Sequence, residues 1–256
     1  MRALTLALAI AVASMTITAL PMMAHAAPAS IKASVAATGA RSEANVKLDA
    51  SRKPAEVLAF LGLEKGMRVA DMFGGNLYWA EIIAPAVGPQ GRVSIWVPRQ
   101  FYNQKSYDRF TPFKAAQPNV WMRVSPFEAP DLPAATYDFM LINLDYHDVY
   151  WQSDERKIPR MDPDAWLKTI YASMKPGAVV GVIDHAANPG DTRATVEKLH
   201  RIDPETVKAD FKRAGFRLEA ESKLLRNAAD DRTLGVFDPK IRGQTDRFIF
   251  KFRKPR

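Results

Sequence analysis

The clearest pattern of hydrophobic and polar positions lies at residues 66–84, where a strand-like apolar run is followed by apolar residues at helical spacing. An apolar run at 67–72, interrupted by the acid Asp71, predicts a short buried strand. The glycine pair 74–75 allows a tight turn, and apolar side chains from Tyr78 onward then recur at helical spacing. Strand, tight turn and helix form the first unit of an open α/β sheet, in which ligands bind beyond the carboxyl end of the strand.

The rest of the chain alternates between strand-like and helix-like patterns. Runs rich in β-branched and apolar residues predict six further strands, at 92–97, 120–124, 137–144, 178–183, 216–225 and 246–253. Helical spacing and capping residues predict helices at 55–61, 103–116, 162–174 and 205–214. Strands alternate with helices, and two strands then end the chain without a clear helix between them. This order predicts a single doubly wound, mostly parallel α/β domain with an antiparallel end.

The amino-terminal residues predict an export signal. A basic residue is followed by an apolar stretch at 4–20, and residues 24–26, Ala-His-Ala, fit the small-residue pattern of a cleavage site. We expect residues 1–26 to be removed, 27–46 to form a flexible leader, and 47–256 to form the folded domain. An uncleaved membrane anchor is the alternative, because the apolar stretch is somewhat long for a signal. Cleavage predicts a periplasmic or secreted protein with no stable membrane span.

Composition and charge exclude several kinds of chemistry. The chain has 256 residues and no cysteine, which removes disulfides, a thiolate nucleophile and cysteine-ligated zinc. Its formal net charge is +8 and its pI is about 9.6. Lysine and arginine are scattered along the chain, which indicates solvated surfaces rather than a nucleic-acid-binding surface. We therefore expect a small-molecule substrate or ligand and no nucleic acid, and the sequence leaves the oligomeric state open.

Polar side chains follow three of the predicted strands at the point where each strand ends. They lie at 71–77, 143–148 and 184–185. Because parallel strands place their carboxyl ends at one edge of a sheet, we expect these segments to converge. Two of them pair an acid with an imidazole, a combination that is common in functional sites. The sequence thus predicts a single polar crevice at this edge.

These same segments carry a resemblance to a known family. Residues 66–75, Asp145-Tyr-His-Asp148 and the run Met-Lys-Pro-Gly-Ala-Val-Val-Gly-Val at 174–182 resemble class I S-adenosylmethionine-dependent methyltransferases. More narrowly, the chain is similar to predicted exported methyltransferases of Gram-negative bacteria. This narrower likeness rests on His200-Arg-Ile-Asp203, Ala214-Gly-Phe216 and Leu225-Arg-Asn-Ala-Ala-Asp-Asp-Arg232. The resemblance covers about residues 47–256.

The resemblance implies a seven-stranded sheet with an antiparallel last strand and a site for S-adenosylmethionine. The implied cofactor-binding residues are Asp71, Phe73, Gly74, Gly75, Asn76, Tyr78 and Asn143. The sequence departs from the family at Phe73 and Leu77, where small residues are usual. The second strand ends Ile-Trp-Val-Pro at 95–98, without the acid that usually binds the ribose hydroxyls.

The resemblance also directs attention to the histidines as catalytic groups. Methyl transfer needs alignment and removal of one proton, because the sulfonium of the cofactor is already a good electrophile. His147 is the candidate general base, oriented by Asp148 or Asp145. His185 beside Asp184 is the second candidate. The predicted acceptor pocket consists of Tyr146, Asp184, His185 and His200.

A metal site is a separate interpretation of the same residues. An oxygen and nitrogen donor set suited to a divalent ion would consist of His147, Asp148, Asp184, His185 and His200. No local His-x-x-x-His spacing supports it, so the sequence predicts no metal.

Two hypotheses of function follow. The first is an exported methyltransferase that uses S-adenosylmethionine on an unknown small acceptor. The second is a non-catalytic periplasmic binding or scaffold protein that retains the fold and has lost the cofactor. The acid Asp71 and the cluster 145–148 favour the first hypothesis. The altered glycine turn and the neutral end of the second strand favour the second.

Overall fold

The computed structural model describes residues 27–256, so the predicted signal segment at 1–26 lies outside the described residues. The helices are α1 Ala29–Ala36, α2 Glu43–Val46, α3 Asp49–Arg52, α4 Pro54–Leu61, α5 Tyr78–Val87, α6 Gln104–Ala116, α7 Pro163–Ser173, α8 Thr192–Leu199 and α9 Pro204–Arg213. Short 3-10 turns lie at Thr38–Ala40 and His147–Tyr150. The strands are β1 Arg68–Met72, β2 Arg92–Pro98, β3 Val120–Ser125, β4 Tyr137–Asn143, β5 Met174–His185, β6 Arg217–Ser222 and β7 Arg247–Arg253.

The seven strands form one sheet in the order β3-β2-β1-β4-β5-β7-β6. Strands β1 to β5 pair in parallel, whereas β7 runs antiparallel to both β5 and β6. Helices cover both faces, and a separate group of buried apolar side chains lies on each face. The central strands β1 and β4 are buried along most of their length, as their continuous apolar runs predict. The predicted doubly wound sheet with an antiparallel last strand is confirmed.

Residues 27–46 correct one expectation, because this segment is ordered rather than a flexible leader. Helix α1 buries Ile31, which is 1% exposed, in the same apolar group as the side chains of α5. The side chain of Asn45 donates to Glu81 Oε2 at 3.0 Å and to the carbonyl of Asn76 at 3.1 Å. Alanine-rich sequence has high helix propensity, and the single isoleucine supplies the apolar contact. The segment therefore supports the turn that follows β1.

Helix α8 is a second feature that the sequence pattern did not predict. Val196 is its one buried residue, so the segment lacks the apolar stripe on which helix prediction depends. Asp191 caps its first turn by accepting a hydrogen bond from the Ala194 amide. The helix ends at His200, which adopts a left-handed backbone conformation with φ of 50°. Helix α8 thus delivers His200 to the carboxyl edge of the sheet.

Within residues 27–256, none of the helices has both the length and the apolar content that crossing a bilayer requires.

Candidate functional site

A cavity of about 1190 Å³ lies at the carboxyl ends of β1, β4 and β5. Ten of the predicted site residues line it: Asp71, Phe73, Gly74, Asn76, Asn143, Asp145, His147, Asp148, His185 and His200. The remainder of the wall includes Arg52 from α3, Trp151, and Phe237 from the loop between β6 and β7. The predicted convergence of the three polar segments is therefore observed.

Four predicted residues lie beside this cavity rather than on its wall. Gly75 borders a smaller neighbouring cavity of about 290 Å³. The Tyr78 hydroxyl donates to Asp49 Oδ1 at 2.9 Å, and the Tyr146 hydroxyl donates to Asp210 Oδ2 at 2.8 Å. Asp184 is completely buried beneath the cavity wall. Both tyrosines are thus buried with a carboxylate partner for the hydroxyl, and neither the predicted pocket residue Tyr146 nor the predicted cofactor residue Tyr78 lines the cavity.

Asp184 pairs with His147 across the sheet, whereas the sequence suggested pairing with its neighbour His185. Asp184 Oδ1 accepts a hydrogen bond from His147 Nδ1 at 2.8 Å, and Oδ2 accepts one from the His147 backbone amide at 2.8 Å. The His185 amide also donates to this carboxylate, at 2.7 Å. The reason is register, because Asn143 lies opposite Ile183 and the two strands therefore end side by side. This arrangement fixes the His147 ring and directs Nε2 away from Asp184.

The charge state of His147 differs from what a general base requires. Burial by itself would lower the pKa of His147, but the negative charges of Asp184 and Asp148 outweigh burial and raise it to about 9. An imidazole that holds its proton at neutral pH cannot accept another. The predicted role of His147 as the base is therefore not supported by its surroundings.

His185 has the opposite electrostatic environment. Its pKa lies well below the ordinary value, because burial disfavours the charged form and the neighbouring cations His147, Arg247 and Arg201 add to that effect. Its Nδ1 lies 2.7 Å from the Thr245 hydroxyl, which leaves Nε2 as the ring nitrogen available to a ligand. A neutral imidazole on the cavity wall has a ring nitrogen that can accept a hydrogen bond, and the lowered pKa makes it a weak base.

Two acidic side chains complete this end of the cavity. Loss of hydration raises the pKa of Asp145 well above its usual range, and the nearby charge of Asp148 raises it further. Asp148 is 8% exposed, and within residues 27–256 its Oδ1 has no hydrogen-bond partner. That oxygen lies 3.3 Å from His147 Nε2 and 3.6 Å from His200 Nδ1. The two acids and the two imidazoles form a compact polar cluster.

Arg52 and Asp71 also line the cavity and leave buried polar atoms unsatisfied. Among the residues that the structure describes, neither Arg52 Nη1 nor Asp71 Oδ2 has a hydrogen-bond partner. Burial raises the pKa of Asp71 to about 7, although the Arg52 charge and the Ala80 backbone amide both act to lower it. Burial also lowers the pKa of Arg52, whose guanidinium carbon lies 4.2 Å from the centre of the Tyr78 ring. Unsatisfied buried polar groups of this kind call for a partner, such as a ligand.

Three residues of the cavity region, Arg52, Thr245 and Phe237, are not predicted as site residues by the sequence. Arg52 lies next to Lys53 and Pro54 in a stretch that has the composition of a surface turn. No spacing relates it to Asp71, because the two residues come together only in the folded chain, where both line the cavity. Thr245 and Phe237 belong to a long loop, and only that unusual length pointed to function.

The turn after β1 shows how this chain accommodates large residues where glycine would be easiest. Phe73 and Leu77 both have positive φ angles, of 59° and 64°, in the left-handed region that disfavours side chains. The Leu77 side chain is buried in the apolar group of α5 and does not line the cavity. The Phe73 ring packs edge-on against Trp96 and Phe127, with centroid distances of 5.0 and 5.3 Å. The turn is therefore open towards the cavity and has one aromatic wall.

Three of the eight non-glycine residues that have a positive φ angle within residues 27–256 line this cavity. Phe73, Leu144 and His200 line it and have left-handed backbone angles, with φ of 59°, 63° and 50°. For a residue with a side chain, this conformation costs about 1–2 kcal/mol. Such strain persists only where the surrounding structure imposes it, and it is characteristic of functional sites.

Comparison with known proteins supports the fold assignment. The sequence matches no known family profile and no curated protein. An S-adenosylmethionine-dependent methyltransferase from Aquifex aeolicus is 18% identical with a TM-score of 0.56, over 86% of this chain and 97% of that chain. Another from Mesorhizobium loti is 15% identical with a TM-score of 0.56, over 81% and 100%. The cyclase SpnF is 17% identical with a TM-score of 0.56, over 80% and 81%.

The seven-stranded sheet, its strand order and its antiparallel β7 agree with these structures. The chain therefore has the Rossmann-like fold of class I S-adenosylmethionine-dependent methyltransferases.

Proposed function

We propose that this protein binds S-adenosylmethionine beside the turn after β1 and methylates a small acceptor held at the histidine end of the same cavity. When bound, the cofactor supplies a methyl group on a positively charged sulfur, which is a good leaving group. The protein then has to hold both partners in line, exclude water and receive one proton.

The observation that carries this proposal is the pair of unsatisfied groups on Arg52 and Asp71. An α-amino acid end carries a carboxylate and an ammonium group, which complement a guanidinium and a carboxylate respectively. Asn143 lines the cavity at the end of β4, and its amide adds donor and acceptor atoms. The residues present therefore fit the amino-acid end of the cofactor.

The nucleoside end has a different, mostly apolar environment. Phe73 and Phe101 line the cavity next to the turn, and β2 ends in the buried residues Val97 and Pro98. Aromatic rings can pack against a nucleobase, but an apolar strand end provides no charged acceptor for the ribose hydroxyls. The absence of such a charge-assisted bond lowers affinity by about ten- to a hundredfold relative to a site that has one.

His185 is the proposed proton acceptor for the second substrate. It lies on the cavity wall, is neutral, and its Nδ1 is held by Thr245. His147, Asp148 and His200 lie around the remaining space and would orient the acceptor. The cavity volume of about 1190 Å³ is large enough for a cofactor and a small second molecule.

A second function is favoured by the aromatic wall at Phe73 and the neutral end of β2. In this alternative the cavity binds a different ligand without methyl transfer, as a binding or scaffold protein. The same fold occurs in a protein described as a cyclase, so the fold by itself does not assign methyl transfer.

Calorimetric titration of the folded full-length chain with S-adenosylmethionine separates the two functions. We expect saturable binding of one cofactor per chain with a Kd below about 1 mM. S-adenosylhomocysteine, which retains the amino-acid end, should bind with the same stoichiometry. Absence of heat with millimolar cofactor, while circular dichroism shows folded protein, would remove the enzyme function and leave the binding protein.

A further inference from the structure

The polar cluster at the histidine end has the composition and spacing of a metal centre. His147, Asp148 and His200 each present one ligand atom, and the three atoms lie within 4.8 Å of one another. The shorter separations, from Asp148 Oδ1 to the two ring nitrogens, are 3.3 and 3.6 Å. Bonds of about 2.0–2.2 Å from an ion to nitrogen and oxygen place neighbouring ligand atoms about 3–3.5 Å apart.

The surroundings of the cluster support a bound cation through independent observations. Asp148 Oδ1 is buried and, in the described part of the chain, accepts no hydrogen bond although two imidazoles lie close to it. The Nδ1 of His147 donates to the buried carboxylate of Asp184, and a bound ion would take the place of the proton that His147 otherwise holds on Nε2, which is then released to solvent. A carboxylate on the far nitrogen is the usual outer partner of a metal-binding histidine, because it fixes the ring and makes it a better donor.

His200 is also held in position by its neighbours. Its backbone is left-handed at the end of α8, and its ring packs against Trp151 and Phe237 with centroid distances of 5.3 and 5.1 Å. The centres of the His147 and His200 rings lie 5.6 Å apart. Strain and packing thus keep a partly exposed imidazole directed at Asp148.

We propose that His147, Asp148 and His200 bind one divalent first-row transition-metal ion, such as Zn²⁺, at the histidine end of the cavity. Two imidazoles and one carboxylate suit such ions, whereas Mg²⁺ and Ca²⁺ prefer oxygen ligands. His185 is not part of this set, because the ligand atoms that lie within 4.8 Å of one another belong to His147, Asp148 and His200. Three protein ligands leave coordination positions open towards the cavity, where an oxygen atom of a substrate can bind and be polarised. The proposal depends on these side chains and not on methyl transfer.

The test is calorimetric titration of the chelator-treated full-length chain with Zn²⁺ alone. We expect one Zn²⁺ per chain, and His200→Ala should weaken binding by at least about a hundredfold, since loss of a ligand exceeds loss of an outer partner. Asp184→Asn, which acts through His147, should weaken it by about 10–100-fold. The control Asp108→Asn, at an exposed position of α6 outside the cavity lining, should retain the original affinity. Co²⁺ should give visible absorption that His200→Ala abolishes.

Several outcomes would overturn the metal site. They are absence of stoichiometric Zn²⁺ binding, unchanged affinity in folded His200→Ala, or Mg²⁺ binding as tightly as Zn²⁺. Thermal unfolding of each variant checks that it is folded, and His200→Ala keeps the test valid if Asp184→Asn does not fold. Since the titration contains no S-adenosylmethionine, its result is independent of the cofactor experiment.

Discussion

Replacing Arg201 with alanine is expected to lower the free energy of unfolding by about 3–5 kcal/mol, because it leaves a buried carboxylate unpaired. The Arg201 side chain is completely buried and donates to Asp230, to the Leu234 carbonyl at 2.9 Å and to the Ala186 carbonyl at 3.0 Å. It therefore ties the loop between β6 and β7 to the end of β5. Removal of the guanidinium takes away the cation that faces Asp230, which keeps only backbone amide donors, and removes the donor to the Ala186 and Leu234 carbonyls.

Chemical denaturation of the variant and the original chain measures this loss. Arg242→Ala is the matched control, because Arg242 is exposed in the same loop and its replacement should change stability by no more than about 0.5 kcal/mol. A loss below about 1 kcal/mol for Arg201→Ala would show that the buried ion pair does not hold the loop.

Replacing Asp71 with asparagine is expected to make the stability difference from the original chain depend strongly on pH. The native pKa of Asp71 is about 7, against an ordinary value of 3.8. Between these values the native state retains a proton that the unfolded state has released. The stability of the original chain therefore falls as pH rises through this window, and the difference between the pKa values corresponds to about 4 kcal/mol. The Asp71→Asn variant does not incur this loss.

Unfolding of both proteins at pH 4 to 8 tests the buried acid. The free energy of unfolding of Asp71→Asn, measured relative to that of the original chain, should rise progressively between pH 4 and 7. This difference should level off above about pH 8. Asp108→Asn makes the same change in charge at an exposed position and controls for net charge. A constant difference between Asp71→Asn and the original chain across this range would mean that Asp71 ionises as it does in water.

The sheet could be predicted because its signal is local. Strands such as β4 are buried on both faces, so their sequences are continuous apolar runs that can be recognised. The positions where these strands end predict which polar segments lie close together. Residues 27–46 and α8 escaped prediction because each contributes few buried apolar side chains, Ile31 and Val196 among them. Their position is determined by tertiary packing, which composition does not record.

The candidate site could be predicted only to the level of its segments. That 71–77, 143–148 and 184–185 meet follows from parallel topology, and the structure bears this out. Which side chains pair does not follow, because Asp184 reaches His147 through the register of β4 and β5. Arg52 lies on the short helix α3, outside the three polar segments that the sequence predicts to converge. Its proximity to Asp71 therefore depends on how the amino-terminal segments pack.

The proposed function depends most on Arg52 and Asp71, which would bind the amino-acid end of the cofactor. The direct test is calorimetric titration of the original chain and Arg52→Gln with S-adenosylmethionine and with its decarboxylated analogue, using exposed Arg68→Gln as the control. Arg52→Gln should weaken S-adenosylmethionine by about 10–100-fold, and the decarboxylated analogue should bind both proteins equally weakly. If Arg52→Gln binds S-adenosylmethionine as tightly as the original chain, the proposed site for the amino-acid end is wrong.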